Sequence, residues 1–414
     1  MQPNPMTTGF AQHPSKPITP RCFMFEKRYK TRLLIQRQTG LYRNPPQILK
    51  REGKYLYLSK HKVLNFSSND YLGLGASRQV MDRVAENFRK YGPSSSSSRL
   101  VSGNYSIIHE AEAAYADYFG YESALFFPSG YQANVGLIST LFEKGDRVIF
   151  DKHIHASSVK GIELSKAGFS GYTHNTLSHL EKKLRAGAGK QMGVVTESLF
   201  SMDGDLLDVE GISRLKKQYN FFSIVDEAHA FGILGTLNGR AGTGIAAGAA
   251  DVALGTFGKA LGLFGAVALL PQEVKNYMFN FCSSLIYSTT LPPAHAASAL
   301  DILRIMAEAH EERDHLRRIS SYMKDTLRQE GFRVEGDAHI LSIFVGDEDN
   351  AATLSTRLLE KGLFVFPARY PTVPVGKAIL RVGMTALHTK EDINRFVVTL
   401  KETFSGRPES RRKV

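Results

Sequence analysis

An aspartate and a lysine are the strongest candidates for chemistry in this sequence. Asp226 ends the apolar run FSIVD, which is typical of a buried strand, and Lys259 lies in the glycine-rich segment GTFGKALG after the next apolar run. The carboxyl ends of such strands are where α/β sheets bind ligands. A lysine held between glycines there is suited to forming a Schiff base, and the aspartate is suited to pairing with the ring nitrogen of a pyridoxal cofactor. Together they predict pyridoxal 5'-phosphate (PLP).

A phosphate site is predicted where the segment FPSGYQ joins an apolar run to a helix. Gly130 leaves the free N–H groups of the helix start open to a phosphate. Ser201, in FSMDGD, and Thr256 add hydroxyl donors. Each hydroxyl alone is more often a turn or cap residue, so this signal depends on the lysine and the aspartate.

Two histidines have the chemistry to contact a flat heteroaromatic ring. His155 is a candidate to stack on such a ring, and His229 is a candidate to hydrogen-bond its phenolic oxygen. Together with His153 they form a poor metal site. Asp226 is the only carboxylate at ligand spacing, and it is already assigned to the ring nitrogen of the cofactor. The sequence therefore predicts no metal.

Two other function classes are disfavoured by the sequence. The segment DEAH is typical of helicases, but no GxxxxGK[ST] loop lies upstream and GTFGKALG has no Ser or Thr after its lysine. The net charge of +12 lies at the ends, because residues 1–62 carry +11 and residues 406–414 carry +3, which leaves −2 for the rest. Nucleic acid is therefore not an expected partner.

The body of the chain has the pattern of an α/β protein. Apolar runs alternate with helix-like segments, which predicts a mostly parallel sheet flanked by helices. The predicted strands cover residues 124–127, 147–150, 193–197, 222–226, 251–255 and 265–270. After these we expect one long charged helix at about 294–330, a strand at 339–345 and another at 363–367.

The predicted domain organisation has five parts. These are a disordered extension (1–23), a basic helix that runs up to Gly40 with a strand segment (24–65), the ligand-binding α/β domain (66–300), a smaller C-terminal α+β domain (301–405) and a basic tail (406–414). No run approaches the roughly 18 apolar residues that a membrane span needs. Because there are only two cysteines, a reducing cytoplasm fits best.

Nine segments, in order, carry a family resemblance. They are NFSSNDYLGLG, SRLVSGN, SGYQANVG, HIHAS, TESLFSMDGD, VDEAHAFG, GTFGKALG, IYSTTLPP and RYPTVP. From about Met24 to Phe404 the chain resembles the α-oxoamine synthases. These are fold-type I PLP enzymes that condense an amino acid with an acyl thioester and release CO2. The resemblance implies a seven-stranded-type sheet, a homodimer and active sites shared between two subunits.

The resemblance also implies a role for individual residues. Lys259 would bind the cofactor covalently and take the α-proton, Asp226 would pair with the pyridine nitrogen, and His155 would stack on the ring. The remaining implied contacts are His229 and Ser201 on the phenolic oxygen side, Gly130, Tyr131 and Thr256 on the phosphate, Thr289 on a neighbouring subunit's phosphate, and Asn69, Arg369 and Arg43 on the substrate.

Three segments, SRLVSGN, FSMDGD and PTVPVG, are most similar to the branch of the family that joins L-alanine to a pimeloyl thioester in biotin biosynthesis. Glycine C-acetyltransferase and serine palmitoyltransferase are the alternatives, and a non-catalytic or nucleic-acid-binding relative is the alternative from another class. The acyl donor is left open between coenzyme A and an acyl carrier protein. The run Ser94–Ser98 and Tyr370 depart from the family pattern, and Tyr42, next to Arg43, stands where some relatives have an arginine. These departures leave the acyl partner less defined than the cofactor.

Overall fold

The computed structural model describes residues 25–58 and 61–405, which divide into two units between Pro45 and Pro46. The predicted extension at 1–23 and the predicted tail at 406–414 lie outside the described residues. The first unit contains the helix α1 (Glu26–Gln38), so the basic helix predicted before Gly40 is confirmed. None of its residues is buried. Among the described residues, no helix is long and apolar enough to cross a membrane.

In the described part of the second unit there are seventeen short strands, twelve α-helices and one short 3-10 helix (Leu74–Ala76). The strands are β1 (Ile48–Glu52), β2 (Tyr55–Leu58), β3 (Lys62–Asn65), β4 (Ser123–Phe127), β5 (Arg147–Asp151), β6 (Gly168–Tyr172), β7 (Met192–Glu197), β8 (Phe222–Asp226), β9 (Thr236–Leu237), β10 (Arg240–Ala241), β11 (Val252–Thr256), β12 (Ala266–Leu270), β13 (Val334–Glu335), β14 (Ile340–Gly346), β15 (Leu363–Phe364), β16 (Phe366–Ala368) and β17 (Ala378–Gly383). The helices are α2 (Arg78–Tyr91), α3 (Ser106–Phe119), α4 (Gly130–Leu141), α5 (Ala156–Ser165), α6 (Leu177–Arg185), α7 (Val209–Tyr219), α8 (Gln272–Phe281), α9 (Ser283–Ile286), α10 (Pro293–Glu308), α11 (His310–Gln329), α12 (Glu348–Glu360) and α13 (Lys390–Ser405).

A seven-stranded sheet organises this unit, in the order β4-β12-β11-β8-β7-β5-β6. β12 is antiparallel to both of its neighbours, and the pairs among β11, β8, β7, β5 and β6 are all parallel. The predicted mostly parallel sheet is therefore confirmed, and all six predicted strands belong to it. β6 is an additional strand, which the sequence pattern misses because GFSGY contains no apolar run.

Helices cover both faces of the sheet, as the alternation along β4 shows. All five residues of β4 are buried. Phe126 belongs to the core that contains α3 and α10 side chains, whereas its neighbour Phe127 belongs to the core that contains Leu137 of α4 and Ile162 of α5. Successive residues of a strand point to opposite faces, and burial on both faces is what makes parallel strands read as continuous apolar runs.

Helix α10 ends earlier than the sequence pattern indicates. The prediction of one helix at about 294–330 is wrong, because α10 and α11 are separate helices with Ala309 between them. The Arg313 side chain of α11 donates a hydrogen bond to the backbone oxygen of Met306, one of the last carbonyls of α10. Carbonyls at a helix end need such partners. A side chain from the next helix therefore stabilises the break.

The C-terminal part contributes to two smaller sheets. One has the order β13-β14-β17-β16, and the other has the order β1-β2-β3-β15. The strand predicted at 339–345 is confirmed as β14. The strand predicted at 363–367 is two strands: β15 pairs with β3, and β16 pairs with β17. Because β1 to β3 join a strand from the C-terminal part, the two ends of this unit are connected by a sheet.

Candidate active site

A cavity of about 270 Å³ lies beside the carboxyl ends of β4, β7, β8 and β11. Parallel strands end at the same edge of a sheet, so the loops that follow them converge there. The residues predicted from the sequence that line this cavity are Asn69, Gly130, Tyr131, His155, Ser201, Asp226, His229, Thr256 and Lys259. The fold therefore brings together residues that are up to 190 positions apart in the sequence.

The lysine and a histidine form a direct contact in this cavity. Lys259 Nζ lies 2.8 Å from His229 Nε2. Burial and the nearby Lys259 hold the pKa of His229 well below its usual range, so the ring is neutral and accepts a hydrogen bond from the lysine at Nε2. The other ring nitrogen, Nδ1, lies 2.6 Å from the hydroxyl oxygen of Tyr71. His229 therefore connects Lys259 to Tyr71.

Asp226 is held in one orientation at the end of β8. The carboxylate is 8% exposed. Its Oδ2 atom accepts a hydrogen bond of 2.7 Å from the side-chain amide of Asn134, and its Oδ1 atom accepts one of 2.9 Å from the backbone N–H of Ala228. Charge-assisted bonds of this type fix the position of a carboxylate. A negative charge is thus fixed in the same cavity as Lys259.

Helix α4 begins at the cavity wall. Ser129 caps it by accepting a hydrogen bond of 3.1 Å from the backbone N–H of Gln132. The first N–H groups of a helix have no partner within the helix and attract anions. A Cβ atom at Gly130 would lie 2.7 Å from Thr256 Cγ2, so a larger residue at this position would displace the Thr256 side chain. The end of β11 and the start of α4 therefore form the candidate phosphate site.

His155 is oriented by a glutamate that was not among the predicted site residues. The backbone N–H of His155 donates to Glu197 Oε1 at 2.5 Å, and the backbone N–H of Ser201 donates to Glu197 Oε2 at 3.3 Å. His155 Nδ1 lies 2.7 Å from the hydroxyl oxygen of Ser157. Glu197 ends β7 as Asp226 ends β8, so the rule that selects Asp226 also selects Glu197.

The surroundings of Glu197 and Lys259 shift the pKa values of these two groups toward each other. Burial raises the pKa of Glu197 to about 8, with Asp226 adding to the effect and Lys259 opposing it. Burial lowers the pKa of Lys259 to about 8, although Asp226 and Glu197 raise it. An amine with such a pKa is available both as a nucleophile and as a base near neutral pH.

The raised pKa of Glu197 predicts a pH dependence of stability. The folded protein keeps the proton of this carboxyl up to about pH 8, whereas the unfolded chain loses it near pH 4.5. Between these values the folded state binds more protons, so rising pH destabilises it. Relative to Glu197→Gln, cofactor-free wild type should lose up to about 1.4 kcal/mol per pH unit between about pH 6 and 8.

Urea unfolding at constant ionic strength measures this difference. Glu163→Gln, on the exposed surface of α5, is the matched control and should show no change of slope against wild type. If the stability of wild type changes with pH in the same way as that of Glu197→Gln across this range, the raised pKa of Glu197 is contradicted.

Three further side chains of the site were not predicted. Tyr71 is fully buried and donates a hydrogen bond of 3.0 Å to Asn69 Oδ1. Arg381 donates to the hydroxyl oxygen of Tyr71 at 3.3 Å and to the backbone oxygen of Ser201 at 2.6 Å. Asn134, the third, lies one helical turn after Gly130 on α4, and that spacing is a signal present in the sequence.

Three predicted residues do not line the cavity. Thr289 is exposed and forms a bridge with Ser98 of the serine run. Arg369 follows β16, and its backbone oxygen accepts a hydrogen bond of 2.8 Å from the N–H of Thr372. Arg43 belongs to the first unit, where it is exposed. Their roles stay predictions.

A histidine cluster outside the residues that line the cavity has the spacing of a metal site. His153, His174 and Asp203 offer atoms within 4.8 Å of one another. The nitrogens of His174 lie 2.9 Å from Asp151 Oδ1 and 3.2 Å from Asp205 Oδ1. Burial lowers the pKa of His174, but these two aspartates outweigh it and raise the pKa to about 10. A protonated imidazole ring has no free lone pair for a metal ion, so we propose no metal at this cluster.

The side chains of the cavity fit PLP. A buried lysine, a fixed carboxylate, a histidine and a helix start beside a glycine supply the groups that this cofactor needs. In addition, the buried Oδ1 atom of Asn134 has no hydrogen-bond partner. The cavity therefore has the polar groups of a cofactor site on every element that ends there.

Comparisons with known proteins agree with this geometry. Residues 61–400 match the family described as aminotransferase class I and II. The 8-amino-7-oxononanoate synthase of Chlorobaculum parvum is 36% identical over 373 residues, which cover 87% of this chain and 94% of that relative.

Two solved structures have the same fold. A variant of serine palmitoyltransferase from S. paucimobilis, with a PLP–myriocin adduct bound, has a TM-score of 0.85 and 28% identity, covering 92% of this chain and 98% of that one. An 8-amino-7-oxononanoate synthase from Francisella tularensis has a TM-score of 0.72 and 29% identity, covering 83% of this chain and 98% of that one.

Proposed function

Because the chain belongs to the aminotransferase class I and II family, and within it to the α-oxoamine synthases, we propose that it joins L-alanine to a pimeloyl thioester. The products are 8-amino-7-oxononanoate, CO2 and a free thiol, and the reaction serves biotin biosynthesis. The protein is a PLP-dependent acyltransferase. The Chlorobaculum parvum relative is named for the same product.

One observation carries the proposal from the structural side: Lys259 and Asp226 line the same cavity. When bound, PLP acts as an electron sink: it accepts the electron pair that is left when a bond at the amino acid's α-carbon breaks. Asp226, fixed by Asn134 and Ala228, would keep the ring nitrogen protonated, since an adjacent negative charge favours the charged form. A non-catalytic relative would have no need for this pair.

The chain's own groups can move the α-proton. With its pKa near 8, Lys259 holds or releases a proton easily at Nζ. His229 accepts a hydrogen bond from that amine, and Tyr71 holds the other side of the imidazole. The ring of His229 therefore keeps one tautomer and one orientation, which directs the lysine into the cavity.

The substrate contacts are part of the proposal. Asn69 lines the cavity and is oriented by the hydroxyl of Tyr71, which supports a position beside the amino acid. Arg369 would hold the substrate carboxylate, as the family resemblance implies. Arg43, which follows Tyr42 at the position where some relatives have an arginine, stays a candidate for substrate binding. A salt bridge to the carboxylate would keep the amino acid oriented until CO2 leaves.

A substrate panel tests the function. L-alanine, glycine and L-serine are each paired with acetyl, pimeloyl and palmitoyl thioesters, on coenzyme A and on an acyl carrier protein, and thiol release is measured. We expect the highest kcat/KM with L-alanine and the pimeloyl group. A preference for glycine with acetyl, or for serine with palmitoyl, would assign the chain to glycine C-acetyltransferase or serine palmitoyltransferase instead.

We further propose a homodimer whose active sites are shared. Thr289 is exposed, and the serine run is tied to its segment: Ser98 bridges Thr289, and Ser95 donates a hydrogen bond of 2.8 Å to the backbone oxygen of Thr290. This supports a fixed loop that presents Thr289 to a neighbouring subunit. We assign the enzyme to the cytoplasm because the sequence has only two cysteines.

Mixing two inactive variants tests the shared site. Lys259→Ala removes the lysine from one chain, and Thr289→Asp would repel the phosphate bound by the other. If each site uses Lys259 from one subunit and Thr289 from the next, heterodimers contain one intact site, and thiol release should recover to about a quarter of wild type after random mixing. Lys259→Ala mixed with itself is the control. No recovery in heterodimers that are verified by mass would refute the shared site.

A further inference from the structure

A second cavity, of about 510 Å³, lies between α11 and the loops that precede β9 and β14. Its volume is in the range of small-molecule sites. Apolar side chains form much of its wall, among them Leu206, Ile233 and Leu316. The proposed reaction gives this cavity no role.

Three of the side chains that line it have a buried polar atom without a hydrogen-bond partner: Arg313 Nη1, Ser320 Oγ and His339 Nε2. These residues are 8%, 3% and 2% exposed. Buried polar groups in folded proteins are normally paired, because an unpaired one costs desolvation energy. Three such atoms on side chains that line one cavity favour a ligand there. Each atom has almost no accessible surface, so it reaches the ligand by a small turn of its side chain toward the cavity.

The charge of Arg313 is not neutralised within the protein. Its Nε atom donates to the backbone oxygen of Gly232 at 2.8 Å, and its Nη2 atom donates to the backbone oxygen of Met306. Among the described residues, no carboxylate forms an ion pair with it. A buried guanidinium in this situation favours an anion, and a carboxylate matches its planar geometry.

The other charges of the cavity are paired. Asp314 forms an ion pair of 2.9 Å with Arg317, and Asp337 forms one of 3.8 Å with Lys324. The net positive charge of the wall therefore comes from Arg313. One negative charge on a ligand would balance it.

The other end of the cavity offers hydrogen-bond acceptors. The ring of His339 is hydrogen-bonded to the backbone of His229 and is neutral, because burial lowers its pKa to about 3. The nitrogen without a partner, Nε2, is then an acceptor. Ser320 offers a hydroxyl that can accept or donate. A hydroxyl or amino group on a ligand would satisfy both.

The spacing along α11 gives a scale for the length of the ligand. Arg313, Leu316 and Ser320 occupy positions i, i+3 and i+7, which share one face of a helix. At 1.5 Å per residue, the Cα atoms of Arg313 and Ser320 are about 10 Å apart along the axis, with the apolar Leu316 between them. This order of cationic, apolar and polar groups matches a chain with an anionic end, an aliphatic middle and a polar end.

We propose that this cavity binds an aliphatic carboxylate that carries an amino or hydroxyl group at the far end of its chain. The carboxylate contacts Arg313, the methylene groups pack on Leu316, and the distal group bonds to Ser320 and His339. This site is separate from the cavity that contains Lys259.

Calorimetric titration of the PLP-loaded enzyme with 8-aminooctanoate tests the proposal. Extended, this probe spans about 10 Å between its two polar ends. We expect saturable binding that Arg313→Gln weakens about tenfold or more and Ser320→Ala weakens several-fold. Ser321→Ala is the control: its hydroxyl donates to Asp325 at 3.2 Å, so affinity should not change. Octanoate should bind less tightly, and inorganic phosphate weakest.

Stability and competition distinguish a ligand site from a purely structural role of Arg313. Arg313→Gln also removes hydrogen bonds to the end of α10, so this variant can lose stability for a structural reason. Ser320→Ala has no such effect: its Tm should equal that of wild type, because the hydroxyl has no partner. Saturating L-alanine should leave the affinity for 8-aminooctanoate within about twofold. Displacement by alanine, equal affinity in wild type and Ser320→Ala, tighter binding of phosphate, or no binding of 8-aminooctanoate would each overturn the proposal.

Discussion

Replacing Lys259 with alanine is expected to abolish turnover. The variant loses the amine that would attach the cofactor and the base that would move the α-proton, and general base catalysis alone contributes about 10²- to 10⁴-fold. His229 Nε2 loses its contact with the lysine in the same change. We expect thiol release to fall at least about 10³-fold, because both functions of one side chain are lost.

The control for this variant is Lys216→Ala. Lys216 is also partly buried and forms an ion pair with Asp251, outside the cavity. Its replacement should lower stability but leave kcat within about twofold, since ion pairs near the surface contribute up to about 1 kcal/mol. Borohydride treatment followed by peptide mass spectrometry gives a second measurement: wild type should carry the reduced cofactor on Lys259. Turnover near wild type in Lys259→Ala, or cofactor on another lysine, would refute the role.

The site residues that the sequence predicts are those that follow an apolar strand directly. Asp226 ends β8, and Lys259 lies three residues after β11. Their position could be derived because strand ends in a parallel sheet share one edge. Glu197 obeys the same rule at the end of β7, so its place in the site was also within reach of the sequence.

Tyr71 and Arg381 could not be derived in this way. Their contact joins residues 310 positions apart, and it depends on how β17 packs beside the segment after β3. Local sequence contains no information on that packing. The same limit explains two errors in the fold. Residues 363–367 divide between two sheets because their partners lie in β3 and β17, and α10 ends where a side chain of α11 reaches its carbonyls.

Replacing Asp226 with asparagine should lower kcat far more than it lowers affinity for PLP. The substitution keeps the size of the side chain but removes the negative charge that would hold the ring nitrogen protonated. Asn134 donates to the present carboxylate at 2.7 Å, and an amide oxygen can still accept that bond. We expect kcat to fall at least about 100-fold, with the Kd for PLP raised less than about tenfold.

A second measurement separates charge from shape in the same variant. Asp226 raises the pKa of Lys259, so Asp226→Asn should move the ionisation of Lys259 to lower pH, whereas a purely structural change has no reason to move it in that direction. Asp251→Asn is the matched control, because Asp251 pairs with Lys216 away from the cavity. Equal losses in kcat and in PLP affinity, with an unchanged pH profile, would make Asp226 a structural residue. A selective loss of kcat with a shifted profile would identify its charge as the catalytic contribution.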